Sequence, residues 1–205
     1  MHEEALTAKA KKLFPNFKRF KKFYLVGGTG LALQIGHRVS LDFDFFTKEE
    51  LPRDLLQRVK RVFPAASIAV TYRAPEQLNV LIDNIKTTFF QFTYPVLNPF
   101  VKYQSIPIAS IREIAAMKAF SVGMRLSYKD YIDWYFLLKE KHIVLDDVIT
   151  FAKRKFGGDF NDRLFLGQLS SMKDIPTQKI DFLRDQVDHA TIQEFLRAEV
   201  RKFML

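Results

Sequence analysis

The chain has 205 residues, 48% of them hydrophobic and 14% aromatic, so it can bury a sizeable core. The absence of cysteine excludes disulfides, thiolate metal sites and cysteine nucleophiles. No run approaches the roughly 18 apolar residues of a membrane span, and the first residues lack the apolar stretch of a secretory signal. We therefore expect a cytoplasmic protein with no membrane contact. The formal net charge of +9 favours a nucleotide or nucleic acid partner.

Basic residues are concentrated near the start of the chain, with seven of them between Lys9 and Lys22. The segment from Glu3 to Lys22 has a helical pattern that Pro15 is expected to break or kink. Its lysines would then cover the outer face, which makes this face a candidate RNA-binding surface. A solvated helix face is the more common meaning of such a run.

A strand, a glycine turn and a short helix follow. Phe23 to Val26 is a continuous apolar run, typical of a strand that is buried on both faces. Gly27 and Gly28 then allow a sharp turn and a close approach of the backbone to a bound group. Thr29 is expected to cap the next helix. The start of a helix offers free N–H groups, so this turn is a candidate site for phosphate.

The residues from Leu41 to Phe45 alternate between apolar and acidic, as in a half-buried strand. A strand would direct Asp42 and Asp44 to one face and Leu41, Phe43 and Phe45 to the other. Two carboxylates about 7 Å apart on one face repel each other unless a divalent cation lies between them. We therefore predict that Asp42 and Asp44 bind Mg²⁺ or Mn²⁺, together with a phosphate group.

The remaining pattern changes from strands to helices near Pro107. We predict a helix over 48–61, strands over 67–72, 78–82, 85–92 and 105–109, and then helices over 111–124, 128–139 and 146–155, with two more before the end. The composition indicates a sheet-bearing region of residues 1–108 and a helical region of residues 109–205.

A second group of candidate residues lies in the helical region. Lys118 is surrounded on its predicted helix by small or apolar residues, so its charge is expected to face a partner such as phosphate. Asp130 and Asp133 lie three residues apart and share one face of the next helix. Taken alone, acids after Ser127 are also ordinary for the first turn of a helix.

These two groups resemble the AbiEii/AbiGii nucleotidyltransferase toxins, within the wider polymerase-β-like nucleotidyltransferase fold. The resemblance rests on Gly27-Gly28-Thr29, on Gly36-His37-Arg38-x-Ser40-x-Asp42-x-Asp44-Phe45-Phe46, and on Lys118 followed by Arg125…Lys129-Asp130-x-x-Asp133. Trp134 stands where the family usually has Leu. The fold implied is α+β, a mixed sheet with flanking helices followed by a helical C-terminal half.

The resemblance also implies roles for these residues. Asp42 and Asp44 would hold the metal, and Asp130 would be a further catalytic carboxylate. Lys118 would act on the nucleotide phosphates as a catalytic and binding group. The nucleotide-binding set would be Gly27, Gly28, Thr29, Arg38, Ser40 and Lys118, and the supporting set would be His37, Arg125, Lys129 and Asp133.

The implied reaction is transfer of a nucleoside monophosphate from a nucleoside triphosphate to a hydroxyl of tRNA or of a protein. The implied biological role is that of the toxin of a toxin–antitoxin or abortive-infection pair, with an antitoxin protein as partner. The neighbouring strand offers Thr87 and Thr88 where related enzymes have a third carboxylate, which leaves open whether a second metal is used.

Two other functions fit the same residues. A kinase-like enzyme would move the γ-phosphoryl group to a protein and would need similar groups. A non-catalytic nucleotide or RNA-binding module would explain the missing third carboxylate and the basic segment. The released product, pyrophosphate or nucleoside diphosphate, separates the first from nucleotidyl transfer.

Overall fold

The protein is described from a computed structural model that covers residues 1–122 and 127–204. The chain forms two compact units, Met1–Ser110 and Ile111–Leu205. Within the described residues, no helix is long and apolar enough to cross a membrane.

The first unit is built on a mixed seven-stranded sheet with the order β3-β4-β5-β2-β1-β7-β6. Strand β2 lies between β1, to which it is antiparallel, and β5, to which it is parallel. The strands are β1 (Tyr24–Val26), β2 (Phe43–Thr47), β3 (Ile68–Arg73), β4 (Gln77–Ile82), β5 (Ile85–Gln91), β6 (Val101–Tyr103) and β7 (Ile106–Ile108). The central place of β2 puts the acidic run in the middle of the sheet.

Three α-helices belong to this unit, namely α1 (Ala8–Leu13), α2 (Gly27–Ile35) and α3 (Leu55–Val62), together with 3₁₀ turns at Glu3–Ala5 and Phe14–Arg19. The core is rich in phenylalanine. Phe17 lies 4.5 Å from Phe45 and 5.0 Å from Phe43 between ring centroids, and all three side chains are buried. The alternation in β2 therefore anchors Phe43 and Phe45 in the core and directs Asp44 to the opposite face of the sheet.

The second unit is helical in its described residues. It contains α4 (Ile111–Ser121), α5 (Tyr128–Lys139), α6 (Leu145–Phe156), α7 (Asp162–Ser170) and α8 (His189–Met204), with a 3₁₀ turn at Gly157–Asp159. Trp134 of α5 is fully buried, and its ring lies 5.2 Å from that of Phe165 in α7.

The predicted α+β class is confirmed. The helix predicted over 48–61 is wrong in its first half, because α3 begins only at Leu55, after a turn that includes Pro52. Strand β6 was not predicted. It is three residues long and two of them are exposed, so it lacks the apolar alternation that marks a strand.

Candidate active site

Helix α2 begins directly after β1, at the first of the two glycines. Gly27 has φ +67°, a left-handed conformation that glycine adopts without strain. The predicted capping role of Thr29 is wrong, since Val26 occupies the cap position and Thr29 lies inside the first turn. The backbone N–H groups at this helix start are free of intrahelical partners and favour anions.

Asp44 approaches the first residue of α2. Its Cα partner across β1 is Val26, the residue before Gly27. A Cβ added to Gly27 would lie 2.5 Å from Asp44 Oδ2, closer than real contacts allow. The absence of a side chain at Gly27 therefore leaves the space that the Asp44 carboxylate occupies.

Arg38 approaches the second residue of α2 in the same way. A Cβ on Gly28 would lie 2.5 Å from Arg38 Nη2 and 3.6 Å from Ser40 Oγ. Arg38 is only 2% exposed, and its Nη1 donates to the carbonyl of Val39 at 3.2 Å. A carboxylate and a guanidinium thus lie against two consecutive glycines, which explains the need for both glycines.

The Thr29 hydroxyl connects the helix start to the acidic segment. It lies within hydrogen-bond distance of two acceptors, Ser40 Oγ at 2.7 Å and the carbonyl oxygen of Asp42. Thr29 and Ser40 are both buried, so these bonds are shielded from water and hold the chain before β2 against α2. Thr29 positions the segment that carries Asp42, a role that its place in the sequence did not indicate.

Asp42 lies just outside the strand that was predicted to contain it. Strand β2 begins at Phe43, and Leu41, which was expected on the buried face, is 47% exposed. Asp42 and Asp44 are both half-buried. The alternation holds from Phe43 onward, where Thr29 and the β1 pairing fix the backbone.

The residues present fit a divalent cation that takes part of its ligands from a substrate. In the part of the chain that the structure describes, no group of three or more His, Asp or Glu side chains is arranged to hold a metal. Mg²⁺ is commonly held by one or two carboxylates, with phosphate oxygens and water completing its shell. Asp44, whose carboxylate approaches the start of α2, and Asp42, whose main-chain carbonyl accepts a hydrogen bond from Thr29, are both half-buried and provide such a partial set.

The register of β5 places Thr88 directly beside Asp44 and Thr87 beside Phe43. Both threonines are buried. The position next to Asp44 therefore carries a hydroxyl where a third carboxylate would extend the acidic pair. His37 is also fully buried, in the segment between α2 and β2.

In the second unit, Lys118 is brought together with both predicted acids. Its Nζ lies 2.7 Å from Asp130 Oδ1 and 2.6 Å from Asp133 Oδ2, and all three side chains are at most 5% exposed. Burial alone would lower the pKa of Lys118, but attraction and hydrogen bonds from the two carboxylates outweigh it and raise that pKa above its ordinary value. Lys118 is therefore protonated at neutral pH, and its charge is matched inside the unit.

The other two supporting residues lie near this triad in sequence. Lys129 follows Tyr128 at the start of α5 and is half-buried. Arg125 lies outside the described residues. Ser127 holds the cap position of α5, but within the described residues its side chain makes no capping hydrogen bond.

The structure thus gathers most of the predicted site residues into two groups, one in each unit. The first unit brings Gly27, Gly28, Thr29, Arg38, Ser40, Asp42 and Asp44 around the start of α2. The second unit brings Lys118, Asp130 and Asp133 into one buried triad. The pairing of Lys118 was not predicted, because its partners lie 12 and 15 residues further along the chain.

Two solved structures that share this architecture are nucleotidyltransferases by description. A candidate nucleotidyltransferase of Helicobacter pylori has a TM-score of 0.63 and 22% identity, over 98% of this chain and 95% of its own. MenT4, a nucleotidyltransferase toxin of Mycobacterium tuberculosis, also has a TM-score of 0.63, with 14% identity, over 93% of this chain and 80% of its own. The fold is that of nucleotidyltransferases.

The comparison of the sequence with protein families identifies the family. The model of the nucleotidyl transferase AbiEii toxin family, of type IV toxin–antitoxin systems, matches residues 11–204. The chain belongs to this family and is a toxin-type nucleotidyltransferase. An uncharacterized protein of Aquifex aeolicus is 30% identical over 185 residues, which cover 89% of this chain and 88% of the relative.

Proposed function

We propose that the protein transfers a nucleoside monophosphate from a nucleoside triphosphate to an acceptor hydroxyl, with Mg²⁺ or Mn²⁺ bound by Asp42 and Asp44. The observation that carries the proposal is the approach of Asp44 and Arg38 to Gly27 and Gly28 at the start of α2. A carboxylate for a cation and a guanidinium for phosphate here lie beside a helix start that itself favours anions.

Each residue of this group has a distinct proposed role. The backbone N–H groups of Gly27 and Gly28 hold phosphate oxygens, and Arg38 donates hydrogen bonds to the phosphates where negative charge develops. Thr29 and Ser40 hold the segment that carries Asp42 in place. When bound, the metal neutralises phosphate charge.

Lys118 and Asp130 remain proposed catalytic residues, the first acting on the phosphates and the second as a base. Their mutual hydrogen bond of 2.7 Å is in competition with both roles. The variant Lys118→Arg tests this, because it keeps a positive charge in the triad. If Lys118 is catalytic, the turnover of this variant should fall by more than the decrease in its folded fraction explains.

We further propose that the acceptor is tRNA or a protein, and that an antitoxin protein counteracts the activity in the cytoplasm. Membership of a toxin family of type IV systems supports an antitoxin and a nucleoside triphosphate substrate. The experiment below therefore has to identify the molecule that carries the acceptor hydroxyl.

The test supplies each common ribonucleoside triphosphate, labelled at the α-phosphate or, in a parallel reaction, at the γ-phosphate, with Mg²⁺ and total RNA or a protein extract. The proposal expects the label to become attached to a macromolecule with release of pyrophosphate, and expects Asp44→Asn to abolish this. Release of nucleoside diphosphate with transfer of γ-label would support the kinase-like alternative. No transfer from any triphosphate would overturn the proposed function.

A further inference from the structure

A cavity of about 380 Å³ lies between the end of the basic N-terminal segment and helix α3. Its apolar walls include Phe20, Phe23 and Leu55, which are all buried. The volume falls within the range of about 300 to 1,000 Å³ that is typical of ligand sites. The cavity is therefore large enough to hold a nucleotide-sized group.

Basic side chains dominate the charge of this cavity. Five of them line it, against two acidic side chains, and they come from two separate segments: Arg19, Lys21, Lys22, Arg58 and Arg61. Lys22 pairs with Glu49, while Arg58 and Arg61 pair with Asp54. Apolar walls beside a cationic rim suit a ligand that has both apolar surface and phosphates.

Arg19 and Lys21 differ from the other three basic residues. Among the described residues, neither of them forms an ion pair with a carboxylate, and both are exposed. Their charges are therefore available to an anion without displacing an existing partner.

A second hollow continues this basic surface. It has a volume of about 710 Å³ and shares Glu50, Pro52 and Leu55 with the first cavity. It adds two further basic side chains, Arg53 and Arg73. Cationic groups therefore lie on both sides of the 50–55 segment.

The cavity and the proposed active site lie at opposite ends of one strand pair. In the β1–β2 register, Val26 pairs with Asp44 at the glycine end, and Tyr24 pairs with Phe46 towards the cavity. Gly27 is four positions beyond Phe23 in the sequence, which is about 13 Å at strand spacing. A ligand that reached both places would have to span about this distance.

We propose that this cavity binds the phosphate backbone of a single-stranded RNA segment, apart from the site that binds the triphosphate. This goes beyond the proposed reaction and does not depend on it. Arg19 and Lys21 make the primary phosphate contacts, and Arg58 and Arg61 contribute from the facing helix.

The experiment measures binding of a fluorescent single-stranded RNA oligonucleotide at several salt concentrations, in the absence of triphosphate. A plot of log K against log salt has a negative slope. Each phosphate contact that is lost should reduce the magnitude of this slope by about 0.7 for a single strand. The double variant Arg19→Gln/Lys21→Gln should therefore reduce the magnitude by about 1.4. Arg58→Gln/Arg61→Gln should reduce it as well, provided that its melting temperature shows a folded protein.

The chain offers a matched control for both variants. Lys18 and Lys60 are exposed neighbours of the same segments but do not line the cavity. Lys18→Gln/Lys60→Gln removes the same charge and should leave the slope unchanged. An equal loss in this control would show a general charge effect and overturn the proposal.

Four other outcomes are decisive. Absence of RNA binding by the parent protein, or an unchanged slope in both cavity variants, would overturn the site. Full competition by an equal concentration of mononucleotide would assign the cavity to a small ligand instead. Asp44→Asn should bind RNA as the parent protein does. A parent protein that binds RNA but transfers no label would refute the proposed reaction and leave this site standing.

Discussion

The two units each gather acidic side chains next to a cationic group, but they do so in different surroundings. In the first unit, Asp42 and Asp44 are half-buried and lie beside the start of a helix. In the second unit, Asp130 and Asp133 are almost fully buried and share Lys118 between them. The carboxylates of the first group are partly exposed to solvent, whereas those of the second group are paired with Lys118 inside the unit.

This difference separates two consequences of mutation. Removing a charge from a buried pair leaves its partner desolvated and unpaired, and the cost appears in stability. Removing a half-exposed carboxylate that binds an external ligand costs little stability, and the loss appears in function. The same residue type therefore leads to opposite expectations in the two units.

Lys118→Met should have the largest effect on stability. It leaves Asp130 and Asp133 buried without their ammonium partner, which typically costs about 3–5 kcal/mol. Denaturant unfolding measures the change. A variant that unfolds within about 1 kcal/mol of the parent would show that the triad does not stabilise the fold.

The control for this prediction is Lys153→Met. Lys153 pairs with Asp162 at 2.5 Å, but its side chain is 55% exposed, so the expected cost is below about 1 kcal/mol. Equal losses in the two lysine variants would remove the distinction between the buried and the exposed pair.

Asp44→Asn and Asp42→Asn should each lower turnover by at least about 10²-fold while leaving the fold intact, because each removes a charge that a bound cation would need. The midpoint of denaturant unfolding should stay near that of the parent protein or rise slightly, since one of two neighbouring like charges is lost. Turnover close to that of the parent in either variant would refute the metal assignment.

Gly27→Ala should displace the Asp44 carboxylate, because the new Cβ would lie 2.5 Å from Oδ2. We expect a loss of turnover together with backbone strain of about 1–2 kcal/mol, since φ is +67°. Gly157→Ala is the control. Gly157 also has a positive φ, of +59°, but no atom lies within 4 Å of the added Cβ. The control should lose stability but keep its turnover, and an equal loss of turnover would point to strain alone.

Alkaline pH should lower the free energy of unfolding through deprotonation of Lys118. We expect this to be the smallest of the effects predicted here. The folded pKa of Lys118 is raised above its ordinary 10.5, so its stabilising contribution is complete below that pH and is lost as pH rises through the folded pKa. Burial also raises the pKa of Tyr131 above 10.0, which acts in the same direction. The free energy of unfolding should therefore fall above about pH 10. The fall should be shallower in Lys118→Met, and identical curves would contradict the assignment.

Local patterns were enough to predict most of the elements. The run Tyr128–Lys139 was predicted with its observed ends, and the Asp83–Asn84 turn between β4 and β5 has both residues at positive φ, as a tight hairpin turn requires. The same turn geometry recurs at Gln104 and Ser105, but the short exposed strand before it concealed that hairpin.

The candidate site residues were identifiable from the sequence, but their contacts were not. Gly27, Gly28, Asp42 and Asp44 stand within one continuous segment, so their spacing carried the prediction. The pairing of Lys118 with Asp130 depends on how α4 and α5 pack, which no local pattern encodes. The basic cavity was missed for the same reason, because it combines the segment around Arg19 with a helix about forty residues further along the chain.

Binding of Mn²⁺, followed by electron paramagnetic resonance in the presence of a non-hydrolysable nucleoside triphosphate, tests the contrast between the two units most directly. Asp44→Asn should lose the protein-dependent part of Mn²⁺ binding, whereas Asp130→Asn should keep it, since Asp130 is 3% exposed and bonded to Lys118. Unchanged binding in Asp44→Asn, or its loss only in Asp130→Asn, would contradict the placement of the metal at the glycine turn.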